Sequence, residues 1–380
     1  MKKSLLVIAT LAAMVGGVHA ANVSLYGAAD LGLSYQYSKV KGGDTTHSYG
    51  LNSGNLGASK FGLKGEEDLG NGYAVGFKLE NGFDADTGKL GQDGRLFGRE
   101  AALTMKTPFG SLAAGRMGSL TSGAGTYDIF QAYADVFDGG VNTIGTGYWQ
   151  GTGRYDNMLT YATPDMAGMK VYAQYGFAND GAEAADNERN NDRYWGVGAT
   201  YDNGPLSLVA VVDSVMPKHT TDDVNQDSYA VSLGGSYDFG SVKPFVGMQY
   251  GEHMNTFGFV NSDIYDGITK TYVERGYALS LGAQVDLPVG SLQAGLFYAH
   301  TSDGSFSAKR GAVTRTVLVD KSDVYGVGLV HSYPLSKRTT LYSGLGYSYF
   351  KGEGHYTGSN TEGVFKKQQG EALLGVNHTF

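Results

Sequence analysis

The amino-acid sequence predicts an all-β fold: a transmembrane, antiparallel barrel of sixteen strands that closes on itself. Three observations predict it. Apolar residues recur with a period of two along most of the chain, tight turns alternate with long loops, and no apolar run is long enough to cross a bilayer as a helix.

The first element is a leader. Lys2 and Lys3 precede the apolar run Leu5 to Val15, and Val18-His19-Ala20 offers a small-residue cleavage site, so residues 1–20 read as a secretory signal peptide and 21–380 as the pore domain. Strands follow. Tyr73, Val75, Phe77 and Leu79 alternate with small or charged residues, as do Met169, Val171, Ala173 and Tyr175. The pattern returns at Trp195 to Tyr201 and Tyr229 to Leu233, and it is clearest from Tyr277 to Leu287. Many of these stretches are about ten residues long, the length a tilted strand needs to cross hydrocarbon.

Seven tight turns separate the strands on one side: Leu69 to Gly72, Pro108 to Gly110, Pro164 to Gly168, Asp202 to Pro205, Phe239 to Ser241, Pro288 to Gly290 and Pro334 to Lys337. Eight longer loops fall between them, near 38–55, 84–94, 118–153, 179–192, 216–226, 252–271, 302–322 and 351–368. Fifteen connections make sixteen strands, enough to enclose an aqueous lumen. Aromatic residues gather near strand ends, at Tyr35, Tyr37, Tyr250, Tyr298, Tyr333, Tyr347 and Tyr349, where amphipathic rings suit the two membrane interfaces. The face opposite the apolar one is rich in glycine and serine, a poor basis for a packed core but adequate for a water-filled passage.

Composition closes other routes. The chain has no cysteine, which removes disulfides, thiolate metal sites and cysteine nucleophiles. Its net charge of −8 gives nucleic acid no general electrostatic reason to bind. G-x-S-x-G, Walker A, G-x-G-x-x-G and H-E-x-x-H motifs are missing, so neither a catalytic site nor a cofactor or metal is expected. Asp84-Ala85-Asp86 only faintly resembles a calcium loop, because the twelfth position is Arg95. The acidic groups Asp180, Glu183, Asp186, Glu188 and Asp222-Asp223 read as solvated loop tips.

Several segments carry a family likeness: Val23-Ser24-Leu25-Tyr26-Gly27, the stretch Ser59 to Gly70, Phe97-Gly98-Arg99-Glu100, Gly110 to Arg116 and the ending Leu374 to Phe380. Together they resemble the Gram-negative general porins of the β-proteobacterial (Neisseria and Burkholderia) type. The likeness runs from one end of the pore domain to the other, with the motifs in order. It implies a homotrimer in the outer membrane whose third loop, 118–153, folds into each pore. Lipid, lipopolysaccharide and the barrel-assembly machinery become expected partners, with Phe380 as the assembly signal.

The charges of the expected pore follow partly from the residues themselves. If Phe61 and Leu63 face lipid, Lys60 and Lys64 face inward, and Lys78 follows in the same way from its neighbours, because a charge on the lipid face is costly. Loop 118–153 contains no basic residue; its charges are Asp128, Asp135 and Asp138, with Tyr127, Phe130, Tyr133 and Phe137 available to pin it to a wall. The resemblance adds Arg99 and Arg154 to a basic cluster, with Arg116 nearby, although lysine at position 60 stands where the family usually has arginine. Parity around Arg99 is irregular, since Ala101, Leu103 and Met105 share its side. Carboxylates facing cations set a transverse field, and the near balance of charges predicts only a mild ion preference, for anions if the family is followed. The expected function is passive diffusion of ions and small hydrophilic solutes. Rival readings are a channel selective for phosphate, a sugar or an organic acid, an outer-membrane barrel enzyme using His300 or His331, and a loop-borne adhesin.

Overall fold

The computed structural model describes residues 23–138, 153–177, 192–217, 226–254, 268–310, 313–356 and 362–380. The expected leader, its cleavage site and all the acidic loop tips from Asp180 to Asp223 lie outside these. In chain order the strands are β1 (Ser24–Val40), β2 (Thr45–Ser53), β3 (Lys60–Gly70), β4 (Tyr73–Gly82), β5 (Glu100–Thr107), β6 (Gly110–Gly118), β7 (Arg154–Ala162) and β8 (Met169–Gly176). They continue as β9 (Arg193–Asn203), β10 (Leu206–Met216), β11 (Tyr229–Tyr237), β12 (Val242–Met254), β13 (Ile268–Asp286), β14 (Ser291–Arg310), β15 (Val313–Pro334), β16 (Thr339–Tyr356) and β17 (Glu362–Thr379). One short helix, α1 (Phe130–Ala134), interrupts the third long connection.

All pairings are antiparallel, and β1 pairs with β17 from Ala28↔Thr379 to Val40↔Lys367, closing the sheet. The closure joins the first and last staves, so the barrel wall has no open edge there. β2 and β3 share one stave. β2 pairs with Leu31 to Lys39 of β1 and β3 with Ser24 to Ala28, so the two lie end to end and the barrel has the sixteen staves expected. Every tight turn falls where the sequence places it. Three depend on glycine for both dihedral and space: Gly110 (φ +128°), Gly168 (φ +91°) and Gly290 (φ +80°), where a Cβ would collide with the carbonyl oxygens of Ala162, Asp202 and Ser332.

Apolar residues face out. On β13, Leu279 and Leu281 are 44% and 62% exposed, while the alternate Ala278 and Ser280 are 0% and 5%. That is the inverse of a soluble sandwich and is the arrangement a hydrocarbon solvent stabilises. Tyrosines cluster on neighbouring strands: Tyr277 lies tilted against Tyr298, and Tyr298 against Tyr325, at centroid distances of 5.9 and 5.1 Å.

The structure departs from expectation in two respects. Connections 38–55, 302–322 and 351–368, read as loops, are largely paired strand, because β2 occupies Thr45–Ser53, β14 runs to Arg310 before β15 begins at Val313, and β16 runs to Tyr356. Backbone pairing needs no apolar face, so the hairpins continue past the hydrophobic band on polar sequence. The polar face is not uniformly bare either. Leu120, Ile129, Phe130, Val136 and Phe137 form a buried cluster with Met117, Tyr194 and Val211 of the wall.

Candidate functional site

Residues 119–138 pack against the polar face of β9 to β14. Strand glycines make the bed: a Cβ on Gly198 would lie 2.8 Å from Ile129, one on Gly282 2.6 Å from Val136, and one on Gly295 2.9 Å from Phe137. The small residues of this face thus serve close approach of a second chain segment as well as open space. Hydrogen bonds fix the segment in register. Thr121 Oγ1 donates to Asp213 at 2.7 Å, Tyr133 OH to Asp202 at 2.6 Å, and Gln293 Nε2 to the carbonyl of Val136 at 2.6 Å.

Across from this segment lies a cavity of about 670 Å³. Its lining brings together Lys60, Arg99 and Arg154 with Asp128, Asp138 and Asp84. Lys60 opens β3 after the 54–59 interruption and Arg154 opens β7, while Arg99 immediately precedes β5; the pairings Lys60↔Gly82 and Glu80↔Glu100 bring Lys60 and Arg99 to neighbouring positions on either side of β4. The irregular parity at Arg99 has a simple cause. β5 begins at Glu100, so Arg99 lies outside the pleat whose alternation assigned Ala101, Leu103 and Met105.

Two carboxylates that the sequence reading left out organise the basic wall. Glu80 accepts from Arg99 Nε at 2.7 Å and from Tyr26 OH at 2.9 Å, with the Lys60 ammonium at 3.9 Å. Glu100 accepts from Lys78 Nζ at 2.8 Å and from Thr126 Oγ1 at 2.6 Å. The cations therefore divide. Arg99 is 8% exposed and committed to Glu80, whereas the Lys60 side chain stays 35% exposed and is the charge most available to a solute. Glu80 was legible in principle, because it shares the parity of Lys78. On the opposing segment, burial, with Asp138 beside it, pushes the Asp128 carboxyl up to about 7. Asp138 is also raised by burial, with Lys60 pulling it the other way.

Four expected residues fall elsewhere. Lys64 places Nζ over the Tyr26 ring, 5.3 Å from its centroid. Lys78 bridges Glu100 and Thr126 and so tethers the start of the segment to the wall. Arg116 sits at a register shift between Gly115 and Met117 and donates to Asp156 at 2.7 Å and to the Gly98 carbonyl at 2.8 Å, alongside Arg95. Asp135 is buried at the end of α1, where its Oδ1 accepts the Phe137 N–H at 3.0 Å. Spacing alone could not separate these, since each destination depends on a partner distant in sequence. At the chain end, Phe380 exchanges backbone hydrogen bonds with Gly27 at 2.9 and 3.0 Å. His300 pairs with Asp323 at 2.9 Å beside Tyr298, and His331 meets the Val289 carbonyl at 3.3 Å.

Comparison with known proteins agrees with this architecture. A family model described as Gram-negative porin matches residues 8–353. The chain is 32% identical to an outer membrane porin protein of Bordetella pertussis, over 90% of this chain and 93% of that one. It is also 32% identical to outer membrane porin protein 32 of Delftia acidovorans, over 99% and 98%. Among solved structures, an anion-selective porin from Comamonas acidovorans superposes with a TM-score of 0.60 at 23% identity, covering 95% of this chain and all of that one.

Proposed function

The chain belongs to the Gram-negative porin family, and within that assignment we propose that the cavity between Lys60, Arg99 and Arg154 on one side and Asp128 and Asp138 on the other is its constriction. The protein is an outer-membrane β-barrel channel, and ions and small hydrophilic solutes diffuse through it down their gradients. Residues 119–138 of the expected 118–153 loop border the lumen and narrow it; residues 139–152 lie outside the described residues. The bed of strand glycines, the hydrogen bonds that Tyr133 and Thr121 donate to Asp202 and Asp213, and the one that Gln293 donates to the Val136 carbonyl support this reading. No chemical step is required of any residue.

The carrying observation is that five residues picked out by parity, loop composition and family likeness converge on one cavity. Their charges nearly cancel formally, but the raised Asp128 weakens the acidic side near neutral pH, so the constriction prefers anions mildly. The Comamonas structure, whose protein is named as anion-selective, is consistent with that direction. Lys64, Lys78, Arg116 and Asp135 are structural in this reading. The subunits assemble as a homotrimer in lipid and lipopolysaccharide after removal of the leader, and Phe380 marks the chain for barrel assembly. Reversal potential in a salt gradient across a planar bilayer tests the assignment. Lys60→Glu is expected to move it toward cation preference; an unchanged potential would remove Lys60 from the constriction.

A further inference from the structure

One more buried carboxylate stands apart from the cavity charges. Asp30, on the polar face of β1, is fully buried, and its carboxylate oxygens accept five hydrogen bonds. Oδ1 takes the Asn55 N–H at 2.9 Å and Tyr342 OH at 2.8 Å; Oδ2 takes the N–H groups of Leu56 and Gly57 at 3.3 and 3.2 Å and Asn377 Nδ2 at 3.1 Å. Its backbone joins in, because Asp30 N–H donates to Ser59 Oγ at 3.0 Å and its carbonyl accepts from Gly54 N–H at 3.1 Å.

These donors are concentrated in the interruption between β2 and β3. There the shared stave leaves the ladder for residues 54–59 and rejoins it at Lys60. The interruption is also part of the cavity lining, through Gly54, Leu56, Gly57, Ala58 and Ser59. A turn with no ladder of its own is held by whatever satisfies its backbone groups, and here one carboxylate satisfies three consecutive N–H donors. Tyr342 and Asn377 connect the same carboxylate to β16 and β17, so the turn is referenced to the seam where the barrel closes.

We propose that Asp30 is a positioning residue of the pore: it fixes the 54–59 turn and thereby holds Lys60 at the edge of the constriction. The proposal rests on the constriction reading above. It makes a signed prediction. Removing a negative charge near the lumen by itself favours anions, whereas releasing Lys60 from its place favours cations, so the two effects move the reversal potential in opposite directions.

The test uses the full-length protein in planar bilayers, with Asp30→Asn introduced into wild-type and Lys60→Gln backgrounds. Asparagine offers one acceptor oxygen where five donors converge, so the turn loosens while the strand ladders are untouched. The expected result is a loss of anion preference, smaller than that of Lys60→Gln, which disappears when Lys60→Gln is already present. No shift, a shift toward anions, or an equal shift in both backgrounds overturns the proposal. If Asp30→Asn does not insert, Tyr342→Phe removes one donor and carries the same comparison. Should Lys60→Gln alone leave the potential unchanged, the constriction assignment falls and the proposal with it; that outcome is recognisable because Asp30 is then intact.

Discussion

Raising the pH from 6 to 8 should weaken anion preference, and the size of the effect follows from the cavity. With its carboxyl near 7, Asp128 passes from about one tenth to about nine tenths ionised over that interval. A sphere of 670 Å³ has a radius of about 5 Å, so a charge on its wall acts on a central ion with about 0.8 kcal/mol in water. Screening at about 0.1 M salt and the incomplete titration reduce this to about 0.4 kcal/mol. That is roughly a two-fold change in occupancy for each ion, with opposite signs for anion and cation, and hence about a three- to four-fold fall in the anion-to-cation permeability ratio. The assay is the reversal potential in a potassium chloride gradient at both pH values, for wild type and Asp128→Asn. Among the described residues no histidine lines the cavity, so the variant should keep only the weaker pH dependence that the raised Asp138 carboxyl supplies. A ratio independent of pH in wild type, or an equal dependence in Asp128→Asn, would refute the reasoning.

Arg99→Ala removes the nearest cation of buried Glu80 and leaves it Tyr26 and the two lysines, a loss of about 1.5–3 kcal/mol for one charged hydrogen bond; the folded barrel should lose its compact electrophoretic form at a lower temperature than wild type. Gly282→Leu pushes against Val136 without altering charge, so single-channel conductance should drop while ion preference is largely kept. An unchanged conductance would show that residues 119–138 do not border the ion path. Deleting Phe380 removes both backbone bonds to Gly27 and should reduce the yield of inserted barrel, measured as protease-resistant protein in outer-membrane fractions.

Much of the site was legible from local rules because period-two alternation fixes the side on which a residue lies once its strand is known. Lys60 follows directly from Phe61 and Leu63. Arg99 did not obey the rule because it precedes its strand, and Arg116 did not because a bulge interrupts the pleat beside it. Glu80 and Glu100 carry parity as clear as that of the lysines, yet their importance depends on what stands opposite them. That Arg99 meets Glu80, and Thr126 meets Glu100, depends on how a loop and a distant segment return to β4 and β5.

The barrel, its sixteen staves, the placement of its tight turns and the outward direction of its apolar residues are written in the order of residues along the chain. Each of these rests on contacts between near neighbours in the chain, where alternation and turn chemistry suffice. Only the tertiary structure decided which charges reach the constriction, which are neutralised behind it, and that Asp30 gathers β1, the 54–59 turn, β16 and β17 at one carboxylate. The physical reason is closure: once β1 meets β17, residues more than three hundred positions apart share one polar interior, and no local pattern records who their partners are.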